Sequence, residues 1–417
     1  MNKKTFAILF FTMFMIMLGV GIIIPHLNYY AQEMGATSFQ IGLLIATYPI
    51  VQFFVSPFFG RWSDRIGRRP VILFGLVCNT LALLGFGLSQ TLWQLFIARA
   101  IWGLASAISV TITAYVADTT DEEHRGTGMG LIGAAVGLGF ILGPALGAVF
   151  GSSHHLPFII SSCLSGLNTV FVVLLLAEPG NRISTDEPYN SFSLKALLTH
   201  RLTPLFLVAF IASFAFAGIE TIFPQFIKDR WGYDTRELVY ILVVSGLIAV
   251  GLQGGLIGRL INRFGEFWLI VTGLLAMAVG LAILPWAANF PTLLAYFCLI
   301  AIGSNTIRPT NSAWISRYAT AEQGTAIGFM NSYISLGRIL GPITSGLFYT
   351  DSQKRGVVSG FLVNQFTPLE SKEPPVWLQW VSSAFDLPYL LLSVVSVLAL
   401  LFLLRPLMRL RKSLTAS

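Results

Sequence analysis

Four ionisable residues stand inside long apolar runs of this chain: Arg99, Glu220, Arg308 and Arg338. A charge held in hydrocarbon costs about 3 kcal/mol or more, so each is a candidate for function before it is a candidate for packing. Glu220, in AFAGIETIF, is the one acid among them. A carboxyl in apolar surroundings holds its proton more readily than one in water, and can give it up when its surroundings become wet. Protonation would neutralise Glu220, and loss of the proton would restore an anion able to attract a cation. The competing reading is a structural ion pair of Glu220 with Arg308 or Arg338.

The elements that position these groups follow from composition. Of 417 residues, 55% are hydrophobic and 11% charged, where a soluble domain carries about a quarter charged. Apolar runs of about 20 residues recur along nearly the whole length and predict about twelve membrane-spanning helices. The expected fold is an all-α polytopic membrane protein. Lys3/Lys4, Arg61, Arg65, Arg68, Arg69, Arg125, Arg201, Arg259, Arg263, Arg317 and the tail Arg405–Lys412 all fall on one side of such a topology. The positive-inside rule makes that side cytoplasmic, with both termini there. The basic tail reads as a lipid-headgroup contact rather than a nucleic-acid patch. Cys78, Cys163 and Cys298 are scattered in apolar runs, with no disulfide or metal-ligand spacing. No GxxxxGK[ST] loop and no nucleophile–base constellation occurs, which argues against ATP drive and against an enzyme.

The chain also repeats itself. GRWSDRIG at Gly60–Gly67 is answered by GRLINRFG at Gly258–Gly265, GTGMG at Gly126–Gly130 by GTAIG at Gly324–Gly328, and GFILGP at Gly139–Pro144 by GRILGP at Gly337–Pro342. All three share one offset (258 − 60 = 324 − 126 = 337 − 139 = 198). Two six-helix bundles with pseudo-two-fold symmetry are therefore expected, at 1–177 and 203–417, joined by a polar cytoplasmic linker at 178–202. The C-terminal bundle carries an extended outer loop, 350–384, whose end, PPVWLQW, reads as an interfacial amphipathic helix. Gly139, Gly143 and Gly147 recur every four residues, as do Gly337 and Gly341. Small residues at that spacing let helix backbones approach closely in lipid. With Pro144 and Pro342 they predict tight packing and a hinge or gasket between the halves. In the loop GRWSDRIGRRP, Asp64 among Arg65, Arg68 and Arg69 predicts a breakable latch at the cytoplasmic rim, with Asp118 as a further partner for the arginines. Asn262 stands where the second copy would place its acid, so a weaker latch is expected there.

The Gly60–Pro70 loop, Arg99 with Gly103, and GFILGPALG resemble motifs of the major facilitator superfamily. Together with SFAFAGIETIFPQF at Ser213–Phe226 and IRP at Ile307–Pro309, they are similar to its twelve-span drug:proton antiporter branch, which includes staphylococcal quinolone efflux. The resemblance implies a proton-coupled exporter of small amphipathic compounds that works by alternating access in a bacterial plasma membrane. It implies a monomer with no cofactor beyond the proton gradient, and no nucleic-acid partner. It further implies coupling roles for Glu220, Arg99 and Arg308, and it places Phe140 and Arg338 at symmetry-related points on a central cavity. The chain departs from that pattern at Asn305, where an acid is expected three residues before the IRP arginine. Gln52, Met13, Met17 and Tyr333 are further cavity candidates. Two alternatives stay open: a metabolite or sugar carrier of the same fold, and a non-transporting membrane receptor or assembly factor.

Overall fold

The computed structural model describes residues 3–120, 122–149, 155–179, 202–252, 256–318, 323–349 and 387–415. The linker is thus seen only at 178–179 and 202, and the outer loop 350–384 lies outside the described residues. Helices fill nearly all of what is described: α1 (Lys3–Glu33), α2 (Ser38–Ile66), α3 (Arg68–Leu88), α4 (Leu92–Leu104), α5 (Ala107–Thr119), α6 (Glu122–Val149), α7 (His155–Leu175), α8 (Thr203–Trp231), α9 (Thr235–Gly251), α10 (Ile257–Phe264), α11 (Glu266–Ile283), α12 (Phe290–Tyr318), α13 (Gln323–Phe348) and α14 (Leu387–Thr415). Among the described residues there is no strand.

Among the described residues, ten stretches are long and apolar enough to cross a membrane, with α4 and α5 together forming one of them. Two expected spans fall short for different reasons. Helix α9 is described over 17 residues, to Gly251. Helix α13 is 26 residues long, but Asn331, Ser332, Ser335 and Arg338 dilute its apolar character.

The sequence repeat is written into the helix ends. Helix α1 ends at Glu33 and α8 at Trp231 (231 − 33 = 198); α3 begins at Arg68 and α11 at Glu266 (266 − 68 = 198); α4 begins at Leu92 and α12 at Phe290 (290 − 92 = 198). Gly67 and Gly265 lead into α3 and α11 with φ of 116° and 79° and ψ of 160° and 158°. A side chain is strained at such φ, so glycine at both turns has a backbone reason. Among the described residues the repeat breaks at one place. Helices α4 and α5 are separated at Ala105–Ser106, where Ala105, Ser106 and Ile108 donate backbone hydrogen bonds to carbonyls three residues back. Helix α2 runs unbroken through Pro49 and Pro57; its counterpart is described as α9 and α10.

Packing gathers the chain into two compact units. The first holds residues 1–36, 47–188 and 233–246; the second holds 37–46, 189–232 and 247–417. The start of α2 thus belongs with the C-terminal helices, and most of α9 with the N-terminal ones.

In each unit the repeated glycine stripe makes a seam between two helices. In the first, α6 lies on α1: a Cβ on Gly139 would fall 2.5 Å from Met17 Cβ, one on Gly143 would fall 2.6 Å from Gly21 Cα, and one on Gly147 would fall 3.0 Å from the Ile22 carbonyl. In the second, α13 lies on α8, where a Cβ on Gly337 would fall 2.6 Å from the Phe210 carbonyl and one on Gly341 would collide with the Phe214 carbonyl. The stripes expected as a gasket between halves therefore hold pairs of helices together inside each unit. Pro342 has a second contact: its carbonyl closes on Gly42, at the start of α2 in the same unit. Nearby, Ser38 Oγ donates to Gln225 Oε1 at 3.0 Å. The outward sides of other helices carry large apolar groups such as Trp93, Leu174 and Phe402, which suits a hydrocarbon solvent.

Candidate functional site

Four constellations contain the charged residues singled out above. At the α2–α3 turn, Arg68 is buried by three acids. Its guanidinium donates to the Asp64 carboxylate, to Asp118 Oδ2 at 2.7 Å and to Ser63 Oγ at 2.6 Å. A cation in the first turn of α3 opposes the helix dipole. The third acid, Glu178, compensates: its Oε1 and Oε2 accept the backbone N–H of Arg68 and Arg69 at 2.6 and 2.8 Å. Arg69 also donates to the Val173 carbonyl at 2.6 Å. Arg65 is exposed on α2. The expected set of Asp64, Arg68 and Asp118 is assembled; Glu178, 110 residues from Arg68, was not foreseen.

The second copy of this turn corrects the expectation of a merely weaker latch. Asn262 is exposed, but the counterpart of Arg68 is Glu266 (68 + 198 = 266), and Arg317 lies one residue past the counterpart of Asp118 (118 + 198 = 316). Arg317 Nη1 approaches Glu266 Oε1 at 2.8 Å. The contact is a close pairing of charges without hydrogen-bond alignment. The ion pair is present with its polarity inverted. Glu266 now sits in the first turn of α11 and Arg317 in the last turn of α12, so both charges agree with their helix dipoles.

Arg99 is held by aromatic faces in the first unit. Its guanidinium lies 5.4 Å from the Tyr48 ring centroid and 4.8 Å from that of Trp102. Trp102 is fixed in turn, its Nε1 donating to Asn79 Oδ1 at 2.8 Å while Asn79 Nδ2 donates to Ser165 Oγ at 2.8 Å. Gly103 makes the approach possible, since a Cβ there would fall 2.5 Å from Val51 Cβ. An arginine one helical turn before a tryptophan was the only signal in the sequence for this arrangement.

Glu220, Asn305, Arg308 and Arg338 all fall in the second unit. Glu220 is half-buried on α8, eleven residues before the helix ends. Asn305 Nδ2 donates to the Ala301 carbonyl at 2.9 Å, an intrahelical bond that an acid could not make. Arg308 on α12 and Arg338 on α13 are both exposed and near enough to each other for their charges to repel.

Of the remaining cavity candidates, Phe140 on α6 is 39% exposed, and Gln52 is partly exposed, its carbonyl accepting from Ser56 at 2.7 Å. Three others turn out to pack helices instead. Met13 is buried within reach of Ser109 Oγ at 4.0 Å, and Met17 fills the seam beside Gly139. Tyr333 is buried with its ring centroid 5.7 Å from that of Phe206.

A family model described as Major Facilitator Superfamily matches residues 9–267 and 254–416. The chain belongs to the major facilitator superfamily. It is thus a multi-pass membrane transporter rather than an enzyme. Its similarity to Multidrug resistance protein 2 of Bacillus subtilis is 32% identity over 357 residues, covering 84% of this chain and 89% of that protein. Quinolone resistance protein NorA of Staphylococcus aureus is 27% identical over 355 residues, covering 84% of this chain and 90% of that protein. Among solved structures, a bacterial homolog of the human lysosomal transporter Spinster superposes with a TM-score of 0.78 over 99% of this chain and 98% of its own, at 15% identity. The nucleoside transporter NupG gives a TM-score of 0.74 over 97% and 99%, at 16% identity. At those identities the likeness to major facilitator structures is one of fold.

Proposed function

We propose that the chain is a proton-coupled antiporter that exports small amphipathic compounds from a bacterial cell across its plasma membrane by alternating access. The observation that carries this is Glu220, a half-buried carboxyl on the most buried of the spanning helices. The apolar runs of its unit add two arginines, Arg308 and Arg338, and no second acid. With Asn305 in place of an acid, one group carries the proton: Glu220 takes it from the outer side, releases it inward, and its two charge states alternate with occupancy by cargo. Arg99, braced by Tyr48 and Trp102, and Arg308 set the electrostatic environment in which that exchange occurs. The names of the relatives, multidrug and quinolone resistance proteins, support amphipathic cargo.

The test is dye uptake into inverted vesicles holding native protein or Glu220→Gln, under an imposed pH gradient with the lumen acid. Native protein is expected to move dye against its gradient, and Glu220→Gln to fall to the level of empty vesicles. Gradient-driven export by Glu220→Gln equal to native would overturn the reading.

A further inference from the structure

The second unit holds two arginines with no partner to explain them. Among the described residues, neither Arg308 nor Arg338 makes a hydrogen bond or an ion pair. Both are exposed, yet Arg308 is densely surrounded by protein at longer range. That combination describes a side chain standing in a recess rather than against lipid.

Helix α13 shows the same thing by its faces. Its glycine ridge, Gly337 and Gly341, lies on α8. Leu340 and Leu347 are exposed and apolar. Asn331, Ser335 and Arg338, at i, i+4 and i+7, form a third, polar face that is exposed or partly so. At 100° per residue this face stands about half a turn from Leu340 and Leu347. One exposed side therefore suits hydrocarbon and the opposite one suits water. On α12, Asn305, Arg308 and Ser312 share a face at i, i+3 and i+7, and Ser312 Oγ touches Met330 Sδ of α13 at 3.8 Å. The two polar faces belong to adjacent helices, and of the charges within the apolar runs of their unit two are cations against the one acid, Glu220.

We propose that Arg308 and Arg338 form an anion-binding subsite that takes the carboxylate of an amphipathic substrate. Two planar guanidinium forks on adjacent helices, near enough for their charges to be felt by each other, suit a carboxylate, which accepts from each. The proposal rests on the export reading for the ligand's status as cargo; the binding step does not depend on it. The first repeat places Phe140 at the corresponding position (338 − 198 = 140), so Arg338→Phe restores the residue of the other half.

The experiment measures binding of a fluorescent aromatic carboxylic acid and of its methyl ester to the purified full chain in phosphatidylcholine nanodiscs. The quantity read is the ratio of the two affinities, which cancels any general damage. Native protein is expected to favour the acid. The ratio should fall about tenfold or more in Arg338→Phe and be largely kept in Arg338→Lys. An unchanged ratio in Arg338→Phe overturns the proposal. So does an acid preference that disappears when phosphatidylglycerol replaces phosphatidylcholine, because the bound anion would then be a lipid phosphate. Absence of transport by native protein beside intact acid binding would instead count against the export reading alone.

Discussion

Arg68 and Arg317 are both partners of a buried acid, yet they should differ sharply in what their loss costs. Arg68 has a side chain 7% exposed, and its partner Asp118 is 6% exposed. Removing the arginine leaves Asp118 buried and uncompensated, a change worth about 3 kcal/mol or more. Arg317 is 58% exposed, and water would take over most of its work at Glu266, so its loss should cost about 1 kcal/mol or less. Thermal unfolding in detergent should therefore show a large drop in midpoint for Arg68→Ala and a small one for Arg317→Ala. Equal drops would mean that burial does not set the energetics of the two turns. Glu178 belongs to the same accounting: it is the carboxylate that offsets a cation at the wrong end of α3, and it does so from the segment that follows α7.

At the scale of the helix, close approach rather than apolar area holds the seams, because lipid offers apolar side chains as good a home as protein does. Gly139 and Gly133 lie on the same helix and separate the two effects. A methyl group at Gly139 would meet Met17 and the Leu18 backbone, while one at Gly133 would meet nothing within 4 Å. Gly139→Ala should destabilise by about 1–3 kcal/mol, and Gly133→Ala should stabilise by up to about 1 kcal/mol through helix propensity, both read as midpoints of thermal unfolding. Such seams were legible in the sequence, since spacing by four announces a face, although not which helix the face would meet. The glycine turns at Gly67 and Gly265 were legible too, because flanking identities repeat. Less visible was whatever depends on partners distant in the chain: Glu178 capping α3, Asn79 steering Trp102 onto Arg99, and the inverted ion pair, hidden because a search for matching letters passes over Glu266 as a mismatch. The break at Ala105–Ser106 carries no proline or glycine of its own to mark it.

For the whole molecule, the distribution of Lys and Arg leads us to propose that both termini face the cytoplasm. A fluorescent protein that matures only in the cytoplasm, fused after Ser417, should light up, and a phosphatase active only outside should stay silent at the same point. The reverse pattern would turn the topology over, and with it the direction of transport proposed for Glu220. The opposed polarity of the two turns bears on how the halves diverged. If both descend from one ancestral unit, then Arg68 with Asp118 and Glu266 with Arg317 differ by a compensated exchange, and a single charge reversal on that route would have set two like charges against each other in a buried turn. Neutral residues offer a passable path, and Asn262 and Ser316 still stand where the other copy keeps Asp64 and Asp118. A chimera built from two copies of either half would be electrostatically coherent within each copy, whereas grafting α3 alone into the place of α11 would bring Arg68 against Arg317 and should fail to insert.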